Sequence, residues 1–292
     1  FGQGPLMPGA TLPLDKRHYA FAPDGETTAR SLIKNAILHA KKFIYLEDQY
    51  FVNWEATQAL VHALNNGIKH LTIVVPHHAI GDLPGMVGHR RRCIKALRDA
   101  GGPRVRVFYK CGPGEKPGDY NTYVHSKVTI VDDEFAIVGS VNYNRRSWEH
   151  DSEICVGLYD PSSDQVLSLR FAHWLRMRLW AQHIFGVVVP PSAPEASDTQ
   201  PWDDVYAELL DGVAAGVHWQ ELIMLEQAHA DEGADYDQAK YNPIATVRPY
   251  ETMRHDDPQE IELLPVPIFG TLIEALAGDA IWDTFLDPGR HT

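Results

Sequence analysis

The 292-residue sequence predicts an α/β fold, a layered mixed β-sheet flanked by helices, and three observations lead there. Helix-period and strand-period stretches alternate from residue 27 to residue 109. Leu71-Thr72-Ile73-Val74-Val75, ended by Pro76, is a near-continuous apolar run of the kind found in strands buried on both faces. Two β-branched and aromatic runs, 128–131 and 135–138, flank Asp132-Asp133-Glu134, a hairpin signal with acidic turn residues. The alternation implies that at least part of the sheet is parallel. Hydrophobic residues make up 44% of the chain, ordinary for a globular core.

Taken in order, Thr27 or Thr28 is placed to cap a helix whose apolar stripe is Leu32, Ile33, Ala36, Ile37 and Ala40. It leads into a strand over 43–51. Residues 55–66 read as a helix stopped by Gly67, and 71–75 as the buried strand. Residues 84–100 read as a helix closed by Gly101-Gly102, and 105–109 as the next strand. A turn-rich loop, 112–119, then borders the hairpin. After the hairpin, Glu153 opens the apolar run 154–159, expected beside the first hairpin strand, and 164–185 reads as an amphipathic helix rich in Trp and Leu. Composition turns linker-like at 190–197. Residues 1–188 are therefore expected as the α/β domain, and 189–292 as a linker and an acidic C-terminal extension, helical or irregular, that packs back on it. Within that extension 202–227 reads as one helix, 228–258 is polar and poorly patterned, and 261–286 regains apolar residues.

The stretch with chemistry in it is Val124-His125-Ser126-Lys127-Val128. Side chains alternate along a strand, so His125 and Lys127 share one surface while Ser126 and Val128 face the other way. An imidazole titrating near neutrality can attack phosphorus or protonate a leaving alkoxide. An ammonium beside it can stabilise charge on the phosphoryl oxygens. Gly139-Ser140-Val141-Asn142 ends the second hairpin strand, where glycine admits a close backbone and Ser140, Asn142 and exposed N–H groups can hold the same phosphate. Asp132 lies about 16 Å from Lys127 along an extended strand, too far for that phosphate. It is expected as a turn and ion-pair residue that fixes the hairpin.

The spacing of these residues is His, any, Lys, four residues, Asp, six residues, Gly-Ser, any, Asn. It resembles the HKD motif of the phospholipase D superfamily. The continuation Asn142-Tyr143-Asn144-Arg145-Arg146-Ser147 and Asp151-Ser152-Glu153 is similar to that family, as is Glu47-Asp48-Gln49-Tyr50-Phe51, so the resemblance covers about residues 20 to 185. His39-Ala40-Lys41 begins like a second copy, but Leu46 stands where Asp belongs and no Gly-Ser-any-Asn follows. The chain therefore resembles the C-terminal half of a two-motif enzyme whose site is built from two halves.

The resemblance implies a phosphodiesterase working through a phosphohistidine, with no cofactor and no metal. In that family the N-terminal histidine is usually the nucleophile, which implies that His125 is the general acid. Glu153 matches a glutamate that hydrogen-bonds the catalytic histidine. The implied partners are a phospholipid or other phosphodiester substrate, an N-terminal half or an identical second subunit, and a transient membrane surface contact. The expected reaction is hydrolysis of a phosphatidyl head-group ester, or its transfer to an alcohol. The alternative within the superfamily is a nucleic-acid phosphodiesterase acting as a homodimer; a non-enzymatic alternative is a fragment that completes the fold of another chain.

Charge and composition set limits. A net charge of −13 argues against stable nucleic-acid binding, which needs a basic footprint. His89-Arg90-Arg91-Arg92, with Lys95 and Arg98, could meet a phosphate or head group, but four consecutive basic residues spread around a helix and are expected as a solvated face. Cys93, Cys111 and Cys155 have no paired spacing and read as unlinked thiols. His77-His78 and fifteen histidines in all raise a metal site, yet no ligand spacing on one helix face supports it. No apolar run approaches the roughly 18 residues of a membrane span. The first residue is Phe1, so the chain reads as a fragment or processed product, with its localisation open.

Overall fold

A computed structural model describes residues 26–77, 86–112, 122–149, 151–159, 170–188, 200–231 and 245–250. In them seven strands form one mixed sheet in the order β6-β5-β4-β1-β2-β3-β7. Strands β1 (Phe43–Glu47), β2 (His70–Val75) and β3 (Val105–Lys110) are parallel, with Ile44 opposite Leu71 and Ile73 opposite Val107. On the other side of β1 the pairing turns antiparallel: Tyr45 faces Ile130 of β4 (Val128–Val131). β5 (Phe135–Gly139) and β6 (Cys155–Tyr159) continue the meander, and β7 (Val247–Pro249) closes the far edge against β3.

Because β1 is central, both of its faces are covered. Ile44 and Leu46 join a core under α1 (Thr28–Leu38), α2 (Trp54–Asn65) and α3 (Met86–Gly101), with Ile37, Leu60, Leu64 and Leu97. Phe43 and Tyr45 join a second core under α5 (Phe171–Phe185), α6 (Gln200–Leu209) and α7 (Gly216–Asp231), where Trp180 and Trp219 meet edge to face at 5.5 Å. Burying the strand on both sides is what its continuous apolar pattern demands. A short helix, α4 (Arg145–Glu149), presses Trp148 into the first core.

Several boundaries differ from those the pattern predicts. The strand expected over 43–51 ends at Glu47, since Asp48 turns the chain and Phe51 takes a left-handed φ of +49°. The first helix has Thr27 at its N-cap position without a side-chain bond, and Glu26 Oε1 accepts from Thr28 N instead. The run after Glu153 lies beside the second hairpin strand, β5, not the first, because β1 already occupies the free edge of β4. The helix expected over 164–185 is seen as α5 from Phe171, with its predicted start outside the described residues. The single helix expected over 202–227 is two, α6 and α7, broken where Asp211 Oδ1 accepts from the amides of Val213 and Ala214. β7 falls in the stretch that showed no pattern. The loop at 112–119 and the linker at 190–197 lie almost wholly outside the described residues.

The hairpin turn is held differently from the expected ion pair of Asp132. Asp132 and Asp133 take consecutive left-handed φ values of +58° and +60°, a conformation Asp tolerates. The Asp132 carboxylate then accepts from three backbone amides, those of Lys41, Lys42 and Phe43, at 2.7–2.8 Å. The ion pair belongs to Asp133, which accepts from Arg176 of α5 at 2.6 and 3.0 Å, with the Arg176 guanidinium 4.8 Å from the Trp180 ring. Asp132 thus anchors the start of β1, and Asp133 anchors α5. Replacing Asp132 by alanine leaves three amides at a buried position without their acceptor, and a loss on the order of 1–3 kcal/mol is expected in thermal unfolding. An unchanged melting curve would contradict this assignment.

Candidate active site

The candidate site grows from the end of β1. Glu47, Asp48 and Gln49 are all buried, so their polar atoms must be satisfied inside the protein. Asp48 Oδ1 accepts from the amides of Tyr50 and Phe51, and Oδ2 accepts from the amide of Tyr143 at 2.8 Å. The Tyr143 carbonyl in turn accepts from the amides of Val52 and Asn53. One carboxylate therefore joins the loop after β1 to the turn after β5. From the other side, Arg90 donates to the carbonyls of Tyr50 (2.8 Å) and Gln49 (3.2 Å). Arg90 is fully buried, which corrects the solvated face expected for the whole basic cluster: its guanidinium clamps the loop instead. Arg92 beside His89, and Lys95 paired with Asp99, are the exposed members.

Lys127 is buried against this loop. Its Nζ donates to Gln49 Oε1 at 2.9 Å and to the His125 carbonyl at 2.7 Å. Burial pulls its pKa below the usual lysine value, and the charges of Asp48 and Glu153 work against that pull. Gln49 Nε2 donates to the Tyr123 hydroxyl at 2.5 Å, and the exposed His125 ring stacks near Tyr123 with centroids 6.1 Å apart. Gln49 and Tyr123 thus connect the ammonium to the imidazole on one surface. Ser126 turns the other way and donates to Glu47. Within the described residues, the hydrogen bonds of His125 run through its backbone, leaving its ring open to the surface.

Ser140 and Glu153 meet across the β5–β6 ladder. The Ser140 hydroxyl donates to Glu153 Oε2, and Ser147 donates to Oε1 at 2.6 Å. Among the described residues the Glu153 oxygens are engaged by the two serines, and no bond from Glu153 to a histidine is formed. Glu153 also lines a cleft of about 590 Å³ with Leu32, Ser147, Glu149, Asp151 and Ile154. Asn142 is buried in the turn after Ser140, and its Oδ1 has no hydrogen-bond partner among the described residues. Asp132 sits at the opposite end of β4, away from the others.

Gly139 is required by contact. A Cβ there would stand 2.2 Å from the Ile154 carbonyl oxygen and 2.6 Å from the Cys155 Cα, closer than backbone atoms allow. The residues that motif spacing missed are Gln49, Asp48 and Tyr123. Asp48 and Gln49 stand, with Glu47, as three polar residues between two apolar runs, but the burial of those three is a tertiary fact, and Tyr123, 37% exposed, is marked by no such pattern. Among the described residues no group of His, Cys, Asp and Glu is arranged to hold a metal, and His77 packs edge-on to Tyr109. His78 lies outside the described residues. No disulfide joins Cys93, Cys111 and Cys155, and no described helix is long and apolar enough to cross a membrane.

Residues 33–175 match the family described as cardiolipin synthase, PLD-like domain. Over 217 residues the chain is 30% identical to phospholipase D alpha 1 of Cynara cardunculus, covering 51% of this chain and 27% of that one. Phospholipase D alpha 1 of Arabidopsis thaliana is 31% identical with the same coverage, so the chain spans only 27% of either relative. Among solved structures, the phospholipase D family member Nuc from Salmonella typhimurium aligns with a TM-score of 0.37 and 22% identity, over 45% of this chain and 76% of that one. Phosphatidylserine synthase of Haemophilus influenzae aligns with a TM-score of 0.36 and 22% identity, over 46% and 32%.

The close approach at Gly139 supplies a test of the site's architecture. Gly139→Ala is expected to push β6 from β5 and separate Glu153 from Ser140, seen as faster hydrogen exchange confined to 138–158. Wild-type protection throughout that segment would show that the ladder can absorb a methyl group.

Proposed function

We propose, from the premise that the chain belongs to the phospholipase D superfamily, that it supplies one of two half-sites of a phospholipase D-type phosphodiesterase acting on phosphatidyl esters. The observation that carries this is the pairing of an exposed imidazole, His125, with a buried ammonium, Lys127, on one surface beside Gln49. Lys127 balances the equatorial oxygens of a phosphoryl group, and the Ser140 and Asn142 turn holds the same phosphate. The histidine of the second half attacks phosphorus in line, forming a phosphohistidine. His125 protonates the leaving alcohol oxygen, then takes the proton of the incoming water or alcohol that releases the phosphatidyl group.

A second half follows from the mechanism, since one imidazole cannot stand on both sides of phosphorus. A surface for it is offered by the β5–β6 edge of the sheet, on the face of Val128 and opposite His125 and Lys127. There Val138, Val156 and Leu158 share a side by register and are 36%, 52% and 38% exposed, and Ile154, 69% exposed, continues the patch to Ser140. The lipid substrate is supported by the names of the relatives, phospholipases D, and by the acidic balance of the chain.

The test is an assay of residues 1–292 alone and joined to a second half-site, on phosphatidyl vesicles and on a soluble aryl phosphodiester. The chain alone as a monomer should be inactive and the joined form active. A primary alcohol should divert the lipid product to the phosphatidyl alcohol. His125→Asn and Lys127→Ala are expected to abolish turnover with the melting transition retained. Extensive chelation should leave hydrolysis of the soluble diester intact, because histidine and lysine supply what a metal otherwise would. Cleavage of oligonucleotides with none of lipid would hand the site to nucleic acid, and full turnover by a monomer would sink the half-site.

The pH profile is a separate check. Lys127 must be charged to act, and its lowered pKa means that it loses the proton at a lower pH than the ordinary 10.5. The alkaline limb of activity should therefore fall below 10.5, and a limb at or above it would contradict a role for the buried ammonium.

A further inference from the structure

Beneath the candidate site, on the face of the sheet opposite His125 and Lys127, runs a buried polar chain that the chemistry above does not use. Ser126, between those two residues, donates its hydroxyl to Glu47 Oε2. Glu47 Oε1 accepts from the Tyr45 hydroxyl at 2.6 Å and from His183 Nε2 of α5 at 2.9 Å. His183 Nδ1 accepts from Lys110 Nζ at 3.0 Å, which fixes the other ring nitrogen as the donor to Glu47. Lys110 Nζ also donates to the Thr246 hydroxyl at 2.5 Å, and that hydroxyl donates to the Gln182 carbonyl. The chain links the segment leading into β4, the end of β1, the last turn of α5, the end of β3 and the segment entering β7.

We propose that Glu47 is a positioning residue for the site: through Ser126 it locks the segment that carries His125 and Lys127 against β1 and α5. The assignment rests on the phosphodiesterase reading of that site. Ser126 is the one side chain between His125 and Lys127, so fixing it fixes the alternation that sends both neighbours to the opposite face. Burial alone would raise the Glu47 carboxyl, but the hydrogen bonds it accepts from His183, Ser126 and Tyr45 outweigh that and hold the group below the usual carboxylate range. Burial pushes His183 below its ordinary value, in keeping with a neutral ring that accepts from Lys110. A carboxylate so weakly basic is a poor proton acceptor and a good fixed anchor. Ser126 therefore serves as a tether and not as a nucleophile.

Hydrogen exchange on the 292-residue chain reads the tether directly. In Ser126→Ala, the amides of 124–128 should exchange about tenfold faster, while β2 and β3 keep wild-type protection. Ser126→Thr, which keeps the hydroxyl, should restore most of that protection. Glu47→Gln should loosen the same segment. Unchanged exchange at 124–128 in Ser126→Ala overturns the proposal, and so does a loss spread evenly over the sheet. In the joined, active form, Ser126→Ala should lower kcat about tenfold with KM unchanged, and Ser126→Thr should recover it. A wild-type joined form without activity would remove the phosphodiesterase reading, while the exchange result would still decide the tether.

Discussion

Three consecutive polar side chains buried at the end of the central strand are the constraint on which this structure turns. A carboxylate, a second carboxylate and a carboxamide at 47–49 cannot be left unsatisfied inside the fold, so each recruits a different neighbour. Glu47 draws in Ser126 and α5, Asp48 draws in the turn at Tyr143, and Gln49 takes Lys127 and Tyr123. The site is assembled by satisfying β1.

The antiparallel joint between β1 and β4 makes that possible. Parallel neighbours β2 and β3 lie on one side of β1, while the hairpin β4–β5 lies on the other with its open end beside 47–49. Asp132 and Asp133 hold the closed end of the same hairpin, one to the backbone entering β1 and one to Arg176. Anchoring at one end and the candidate site at the other divide the motif spacing between two physical places. The third letter of the motif belongs to the anchor.

The exposed face of β5 and β6 stands apart from this economy of satisfied contacts. Most large apolar side chains on the described sheet are buried beneath helices, whereas Ile154, Val156 and Leu158, like Tyr159 on the other face of β6, are open. A contiguous apolar surface of this kind, on the sheet face opposite His125 and Lys127, fits the proposal of a covering partner.

Periodicity and composition by themselves determined the α/β class, the buried parallel strand, the hairpin and the shared surface of His125 and Lys127, because period, turn residues and strand alternation are local properties. They also determined that Asp132 stands away from His125 and Lys127, since chain geometry bounds that distance. They did not determine that Arg90 is buried among carbonyls, that Asp132 grips three amides while Asp133 takes the arginine, or that β6 pairs with β5. Nor did they identify Asp48, Gln49 and Tyr123, whose partners lie far along the chain. A polar side chain reads the same in sequence whether water or protein satisfies it, and only the tertiary structure decides which.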